Sequence, residues 1–211
     1  MPVVRQMLGM TKNVMYKYIA IVGPIAAGKT TVAEIIKKHY GYPIYKLSQG
    51  IYDEADKRGL DREDRVVLQN LGDELREKYG VDVLAQLVIT KILLPTNQDQ
   101  DDNNQGAVIE SIRNHNEVIR LQKEFGKDML VISVNATMEA RYERAVKREG
   151  QYKEQNLTFE EFKQIAIRDL GEENDEAGQN VIKCMALADI KIENTGDLKQ
   201  LEREVLRIFE I

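Results

Sequence analysis

Gly23-Pro24-Ile25-Ala26-Ala27-Gly28-Lys29-Thr30 lies between two regular sequence patterns. The preceding apolar run, Tyr18-Ile19-Ala20-Ile21-Val22, is typical of a buried parallel strand. The following run, from Thr30 to His39, has apolar residues at helical spacing and precedes Gly41, a residue type that ends helices. All eight loop positions fit G-x-x-x-x-G-K-[ST] in the strand-loop-helix setting that this motif requires. The pattern predicts a phosphate-binding loop (P-loop), and a chance turn would not be expected to match it in full.

The chemistry of phosphate explains the residue types in this loop. Small residues let backbone N–H groups approach a phosphate at the positive end of the helix. Lys29 supplies a compact charge to the β- and γ-phosphate oxygens, and the Thr30 hydroxyl is expected to ligate Mg²⁺. The residues of this segment that are predicted to bind ATP are Gly23, Ala26, Ala27, Gly28, Lys29, Thr30 and Thr31.

The composition is that of a globular protein with an acidic balance of charge. Hydrophobic residues make up 43% of the 211 residues and charged residues 31%, which excludes a disordered or fibrous chain. The net charge of −5 provides no overall basic field, so neither nucleic acid nor a membrane is expected as a partner. The single cysteine, Cys184, cannot form an internal disulfide and is expected in the core. The predicted location is cytoplasmic.

Short apolar runs alternate with helical patterns, which predicts an α/β fold with a parallel sheet covered on both faces. The predicted strands are residues 18–22, 43–47, 107–109, 129–134 and 190–192. Residues 1–17 are expected to be an N-terminal extension and residues 18–211 one domain. Residues 95–106 contain no apolar side chain and predict an exposed connection far from the chemistry. Residues 174–187 are predicted to be helical.

A predicted helix from the capping residue Asp61 to about Lys78 carries the first candidate acceptor site. Arg65, Gln69, Gly72 and Arg76 stand along one face of this helix. A glycine inside a helix costs about 1 kcal/mol relative to alanine, so this gap indicates that something approaches the helix closely. Two guanidinium groups are well matched to phosphate oxygens. A solvated, salt-bridged helix face is the alternative interpretation.

The third predicted strand ends in a carboxylate, Glu110, followed by Arg113. Ligands bind beyond the carboxyl ends of strands in open α/β sheets. Glu110 is therefore a candidate Mg²⁺ ligand through water, and Arg113 a candidate phosphate ligand. A capping or salt-bridging role for Glu110 is the alternative.

The predicted helix from Thr137 carries Arg141, Arg144 and Arg148 along one face, and a polar segment follows it. An arginine face next to a flexible segment is what a lid over transferring phosphates needs. Salt bridges with neighbouring glutamates on the surface are the alternative interpretation.

Several of these segments occur in one order along the chain. They are the P-loop, Arg65-x-x-Leu68-Gln69-x-Leu71-Gly72-Asp73-x-Leu75-Arg76-x-x-x-Gly80, Val108-Ile109-Glu110-Ser111-Ile112-Arg113-Asn114 and Leu187-Ala188-Asp189-Ile190-x-Ile192-x-Asn194. The series resembles the nucleoside monophosphate kinase superfamily of P-loop kinases. Within it, the sequence is most similar to deoxynucleoside monophosphate kinases and dephospho-coenzyme A kinases. Glu110-Ser111 stands where adenylate kinases carry Asp-Gly, which argues against a strict adenylate kinase.

The resemblance implies a three-layer α/β/α fold with strand order 2-3-1-4-5. It implies an acceptor-binding helical region at about residues 48–94 and a short lid at about residues 149–157. The acceptor-binding residues that it implies are Ser48, Arg65, Gln69, Arg76 and Arg113. The catalytic residues would be Lys29 and Arg113, with Arg144 and Arg148 as lid arginines. Asn194 would lie near the adenine of ATP.

Together these features predict a phosphotransferase that uses ATP and Mg²⁺. The favoured acceptor is the phosphate of a (deoxy)nucleoside monophosphate, because an anionic acceptor needs positioning and charge neutralisation but no general base. Dephospho-coenzyme A is a rival acceptor, and its hydroxyl would need a base, for which Asp53 is the candidate. An ATP-binding switch or ATPase without a small-molecule acceptor is the alternative from another class.

Overall fold

The computed structural model describes residues 16–94, 106–147, 157–171 and 176–209. Five parallel strands form one sheet in the order β2-β3-β1-β4-β5, which confirms the predicted fold class. The strands are β1 (Tyr18–Val22), β2 (Ile44–Lys46), β3 (Ala107–Glu110), β4 (Met129–Asn135) and β5 (Ile190–Glu193). The central strand β1 pairs with β3 and with β4, so both of its edges are hydrogen-bonded.

Alternate residues of the strands enter two separate cores, one on each face of the sheet. Ala20 and Val22 of β1 lie in one core, and Ile19 and Ile21 lie in the other. Strands buried on both faces read as continuous apolar runs, which is why the strand segments were evident in the sequence. The two cores are the reason that helices must cover both faces of the sheet.

The helices in the described part of the chain surround this sheet. They are α1 (Lys29–Tyr40), α2 (Ser48–Arg58), α3 (Arg65–Tyr79), α4 (Val83–Leu93), α5 (His115–Phe125), α6 (Met138–Lys147), α7 (Phe159–Leu170), α8 (Val181–Ala186) and α9 (Leu198–Ile208). Helices α2 to α5 contribute to the core that contains Ala20, while α1 and α9 pack in the core that contains Ile19. No helix in these ranges combines the length and apolar character that crossing a bilayer needs.

Two predicted helix boundaries were wrong. Helix α3 begins at Arg65, because Asp64 and not Asp61 accepts hydrogen bonds from the Val66 and Val67 amides. Asp61 instead accepts from the Glu63 amide two residues on, in a local turn. The helix expected over residues 174–187 is observed only at α8, whose cap is Asn180.

Some predictions fall partly or wholly outside the described residues. These are the extension at residues 1–17, apart from its last two residues, the polar connection at residues 95–106, apart from Gly106, and the lid at residues 149–157, apart from Leu157. Arg148 also lies outside the described residues. The described elements nevertheless include the P-loop, the ends of β1 and β3, and the helices around them.

Candidate active site

A cavity of about 800 Å³ opens where the carboxyl ends of β2 and β3 meet the P-loop. Its lining is strongly cationic although the chain as a whole carries a net charge of −5. The cationic residues that line it are Lys29, Lys46, Arg62, Arg65, Arg113, Arg144 and Lys147. Among the described residues that line it, Glu110 is the one carboxylate. Such a wall suits a ligand, or a pair of ligands, with several negative charges.

Backbone geometry in the P-loop requires glycine at two positions. A Cβ on Gly23 would lie 2.0 Å from the Val134 carbonyl oxygen, so only glycine lets the loop leave β1 alongside β4. Gly28 has a φ of +106° immediately before α1, and a Cβ there would lie 2.3 Å from Nδ2 of Asn194. These two constraints explain why the glycines of the motif occur at these positions.

Lys29 is the first residue of α1, and its side chain is buried against the P-loop. Its Nζ donates to the carbonyl oxygens of Gly23 and Pro24, both at 2.7 Å. Burial holds the pKa of Lys29 well below its usual value, and the nearby charge of Arg113 lowers it further. An anionic phosphate in the cavity would favour the charged form of this amine.

Asn194 and Arg144 both donate hydrogen bonds to the backbone of the P-loop. Nδ2 of Asn194 donates to the Ala27 carbonyl oxygen at 2.8 Å, and Nη1 of Arg144 donates to the same oxygen at 3.3 Å. Nη2 of Arg144 also donates to the Asn194 carbonyl oxygen at 2.9 Å. Arg144 lines the cavity, whereas the Asn194 side chain is buried against the loop backbone. This contact of Asn194 holds the shape of the loop.

Helix α6 does not present one uniform arginine face to the cavity. Arg144 lines the cavity, whereas Arg141, one turn earlier, is buried away from it. Nη2 of Arg141 lies 3.4 Å from Sδ of Met138, and its Nε and Nη1 have no hydrogen-bond partner among the described residues. Burial lowers the pKa of Arg141 below its usual value.

Thr30 and Glu110 bring two kinds of oxygen together at the ends of α1 and β3. Oγ1 of Thr30 donates to Oε2 of Glu110 at 3.2 Å, and Nζ of Lys46 lies 3.2 Å from Oε1. A hydroxyl and a carboxylate are the ligand types that Mg²⁺ prefers, so these residues fit the predicted metal. The next residue, Ser111, has a φ of +66°, a conformation more usual for glycine.

Arg113 is linked to the P-loop through a buried carboxylate that the sequence analysis missed. Nη1 of Arg113 makes a short contact with Oδ1 of Asp169, in the last turn of α7. Oδ2 of the same carboxylate accepts from the Ile25 amide at 2.7 Å. Asp169 therefore joins Arg113, which lines the cavity, to the backbone of the loop.

The residues of α3 that were predicted to face the acceptor do not all lie in the cavity wall. Arg65, Gln69 and, on α2, Ser48 all line the cavity. Arg76 does not, and the expectation that it faces an acceptor was wrong. Its Nε donates to Oε1 of Glu117 at 2.9 Å, and both side chains are buried in the core. The reason is geometric: Arg76 is three helical turns from Arg65, opposite α5 rather than the cavity.

The space beside Gly72 on α3 is filled by a side chain of the neighbouring helix α2. A Cβ on Gly72 would lie 3.1 Å from Cδ1 of Ile51, on helix α2. The expected close approach to α3 is therefore a helix–helix contact. It sets the position of α2, whose residues Ser48 and Tyr52 line the cavity.

Other lining residues had little signal in the sequence. Lys46, Arg62, Lys147 and Gln179 reach the cavity from four different elements or loops. Lys46 is the last residue of β2, a position that could have marked it in the sequence, but the other three are single polar residues in polar surroundings. Asp53 lines a second, largely apolar cavity of about 400 Å³ and accepts from Nε2 of Gln49 at 2.7 Å.

Comparison with known proteins agrees with this architecture. Residues 19–179 match the family described as the AAA domain. A UPF0200 protein of Hyperthermus butylicus is 31% identical over 191 residues, covering 90% of this chain and 92% of the relative. A UPF0200/UPF0201 protein of Archaeoglobus fulgidus is 32% identical over 92% of this chain, which spans only 55% of that relative's length. A cytidylate kinase of Streptococcus suis is 32% identical over 117 residues, covering 52% of each chain.

Solved kinase structures share the fold at low sequence identity. A gluconokinase from Sinorhizobium meliloti superposes with a TM-score of 0.55 at 14% identity, covering 92% of each chain. A shikimate kinase from Acinetobacter baumannii gives a TM-score of 0.52 at 18% identity, covering 91% of this chain and 92% of its own. At these identities the two structures show a shared fold. The match to the AAA domain and the partial match to a cytidylate kinase fit the resemblance to the nucleoside monophosphate kinase superfamily of P-loop kinases. The chain belongs to the AAA domain family and to the UPF0200 proteins.

Proposed function

We propose that this protein transfers the γ-phosphoryl group of ATP to the phosphate of a small acceptor, a nucleoside monophosphate. The observation that carries the proposal is the charge of the cavity, where the described lining residues include seven lysine and arginine side chains and one carboxylate. Donor and acceptor phosphates together bring several negative charges, which this wall would neutralise. The cavity also has the volume for ligands of that size.

Glu110, the one carboxylate among the described lining residues, already has partners, which supports a phosphate acceptor over a hydroxyl acceptor. A hydroxyl needs a base within hydrogen-bond reach of its proton. Glu110 is already held by Thr30 and Lys46. Asp53, the candidate base for dephospho-coenzyme A, lines the second cavity and accepts from Gln49. A phosphate oxygen is already anionic, so a cavity with this lining is better suited to it.

The roles of the residues follow from their positions. Lys29 and the P-loop amides bind the donor phosphates, with Thr31 and Arg144 beside them. Thr30 and Glu110 hold Mg²⁺, which when bound neutralises charge on the donor phosphates. Arg65 and Arg113 bind the acceptor phosphate, and Ser48 lies beside them on the same wall. Positioning of two phosphates and neutralisation of their charge are the chemistry that this reaction needs.

An ADP-formation assay with a panel of acceptors tests the proposal. The panel is AMP, CMP, UMP, GMP, dephospho-coenzyme A, gluconate and shikimate, with a reaction lacking any acceptor. Because a bound acceptor completes the site, the right monophosphate is expected to raise ADP formation at least about tenfold over that background. The phosphorylated product must appear in equal amount.

Two outcomes would contradict the proposal. Equal ADP formation with and without acceptors would support an ATPase or switch. Phosphorylation of gluconate, shikimate or dephospho-coenzyme A, with no monophosphate used, would support a hydroxyl acceptor. Lys29→Ala serves as the control that ties ADP formation to this site.

A further inference from the structure

Lys46 and Glu110 are neighbours in the sheet and form an ion pair in the wall of the larger cavity, the one of about 800 Å³. They are the last residues of β2 and β3, and the strand register places them opposite each other. Nζ of Lys46 lies 3.2 Å from Oε1 of Glu110. The Leu47 amide donates to the Glu110 carbonyl oxygen at 3.0 Å, so the two strand ends remain hydrogen-bonded beside the pair.

The two side chains of this pair differ in their exposure to solvent. The Glu110 side chain is 3% exposed, so the stability of its charge depends on the groups that contact it. Those groups are the Lys46 ammonium on Oε1 and the Thr30 hydroxyl on Oε2, at 3.2 Å each. The Lys46 side chain is 40% exposed and has a flexible four-carbon stem, so its ammonium can leave the carboxylate while β2 stays in place.

The Lys46 ammonium lies where a divalent cation held by Glu110 would compete with it. A hydroxyl can ligate Mg²⁺ together with a carboxylate, so the contact between Thr30 and Glu110 is compatible with a bound cation. An ammonium has no lone pair to donate and repels a second cation beside the same carboxylate. Cation binding at Glu110 therefore requires the Lys46 ammonium to withdraw.

The larger cavity offers the withdrawn ammonium its best new partners. Lys46 lines both this cavity and the second, largely apolar one. The two carboxylates among the described residues of the second cavity already have partners, because Gln49 donates to Asp53 at 2.7 Å and Arg58 donates to Glu54 at 2.8 Å. Phosphate oxygens in the larger cavity would be strong acceptors for an ammonium. A cation that arrives with phosphate therefore brings a new partner for Lys46, whereas a cation alone does not.

We propose that Lys46 takes the place of the divalent cation at Glu110 in the metal-free protein, so that a cation binds tightly only together with phosphate. This inference rests on the proposed function for its choice of Thr30 and Glu110 as metal ligands. The exchange keeps the buried carboxylate paired in both states, which avoids the cost of an uncompensated charge. It also adds a lysine to the cationic wall when phosphates are bound.

The test measures cation binding without nucleotide or acceptor, so it does not depend on phosphoryl transfer. Mn²⁺, which suits the same oxygen ligands as Mg²⁺, is titrated into the protein, and the electron paramagnetic resonance signal of the free ion reports how much is bound. Lys46→Met removes the ammonium, and Lys46→Arg keeps the charge. Lys57→Met is the matched control, because Lys57 pairs with Glu54 and does not line the larger cavity.

Lys46→Met is expected to bind Mn²⁺ at least about tenfold more tightly than the wild-type protein, because the competing charge is gone. Lys46→Arg and Lys57→Met should have dissociation constants within about threefold of the wild-type value, since the first keeps the charge and the second removes an exposed one. Adding Glu110→Gln to Lys46→Met should abolish the gain, because the cation then lacks its carboxylate ligand.

Thermal unfolding gives a second readout that separates the exchange from a purely structural role of Lys46. With EDTA present, Lys46→Met should melt at a lower temperature than the wild-type protein, because the buried Glu110 lacks its ammonium. Millimolar Mg²⁺ should then raise the melting temperature of Lys46→Met by at least about 3 °C more than that of the wild-type protein. A loss of stability that Mg²⁺ does not repair would overturn the inference and show that Lys46 serves only the fold.

The outcomes also separate this inference from the proposed function. Equal Mn²⁺ affinity of the wild-type protein and Lys46→Met, or no Mn²⁺ binding by either, would overturn the inference, while ADP formation with a monophosphate would still support the proposed function. A gain that Lys57→Met shares, or that survives Glu110→Gln, would also overturn it, because the gain would not come from this ion pair. The expected gain without phosphoryl transfer to any acceptor would remove the proposed function and keep the exchange at Glu110.

Discussion

Nε of Arg76 donates to Oε1 of Glu117 at 2.9 Å, and the two side chains form an ion pair inside the core. The other carboxylate oxygen of Glu117 accepts from the backbone amides of Arg113 and Asn114, at 2.9 and 3.0 Å. The pair therefore joins α3 to the segment that carries Arg113 into the cavity. Arg76 therefore lies outside the cavity and is linked through Glu117 to the backbone of Arg113, which lines it.

Replacement of Arg76 by alanine is expected to destabilise the fold. Removing one partner of a buried ion pair leaves the other charge uncompensated, which costs about 3–5 kcal/mol of unfolding free energy. Urea denaturation followed by circular dichroism measures the loss. The control is Arg58→Ala, whose exposed pairs with Glu54 and Glu74 should contribute little. If Arg76→Ala kept the wild-type stability but had a raised KM for the acceptor, the result would instead support a role of Arg76 in binding the acceptor.

Asp169→Asn should impair catalysis more than folding. The variant keeps the size of the side chain but loses the charge that holds Arg113 beside the P-loop, so kcat/KM for the acceptor should fall about 10- to 100-fold. Because Arg113 lines the cavity, its charge is less deeply buried than that of Glu117, so the unfolding midpoint should fall less than in Arg76→Ala. Steady-state kinetics with ATP and acceptor varied separately distinguish the two effects.

Asp189→Asn is the matched control for that experiment. Oδ2 of Asp189 also accepts from a backbone amide, that of Val131 at 2.8 Å, but this residue does not line the cavity. Kinetics should therefore stay at the wild-type level in Asp189→Asn. Unchanged kinetics in both variants would show that Asp169 serves only the fold.

The lowered pKa of Lys29 predicts a pH dependence of ATP binding. Burial favours the neutral amine in the free protein, whereas bound phosphate oxygens favour the charged form. Binding should therefore take up a proton, and ATP affinity should fall as the pH rises from the lowered pKa of the free protein towards the usual lysine pKa. Calorimetry in two buffers of different ionisation enthalpy measures the uptake directly.

Lys29→Arg provides the comparison, because a guanidinium stays charged throughout this range. In that variant the dependence on pH should be absent, even if binding is weaker overall. A flat dissociation constant for the wild-type protein, with no proton uptake, would contradict the prediction.

Gly28→Ala should abolish ATP binding through a steric conflict with Asn194. The added Cβ would meet Nδ2 of Asn194 at 2.3 Å, and the φ of +106° would be strained for alanine. Gly59→Ala has a φ of +64° but no atom within 4 Å of its Cβ, so it isolates the backbone cost of about 1 kcal/mol. Thermal unfolding and ATP titration of both variants separate the two effects. If Gly28→Ala and Gly59→Ala had the same thermal stability and the same ATP affinity, the Asn194 side chain would have to move away from the new Cβ at no cost, which would contradict the prediction.

Those parts of the fold that depend on interactions between residues close together in the chain could be predicted from the sequence. The P-loop motif and the apolar strands are each formed by residues within a few positions of one another, and each is observed. Cys184 was expected in the core and is buried there. The alternation of strands with helices also predicted the class of fold, because strands buried on both faces need helices on both sides.

The arrangement of the candidate site was decided by contacts between residues far apart in the chain. Arg65 and Arg76 share one pattern in the sequence, yet one lines the cavity and the other pairs with Glu117, 41 positions away. Asp169 reaches the P-loop across 144 positions, and Gln179 reaches Gln69 across 110. Periodicity states which residues share a helix face, but what lies opposite that face depends on how the helices pack. The packing of the helices therefore determines which of these polar side chains are buried in the core and which line the cavity.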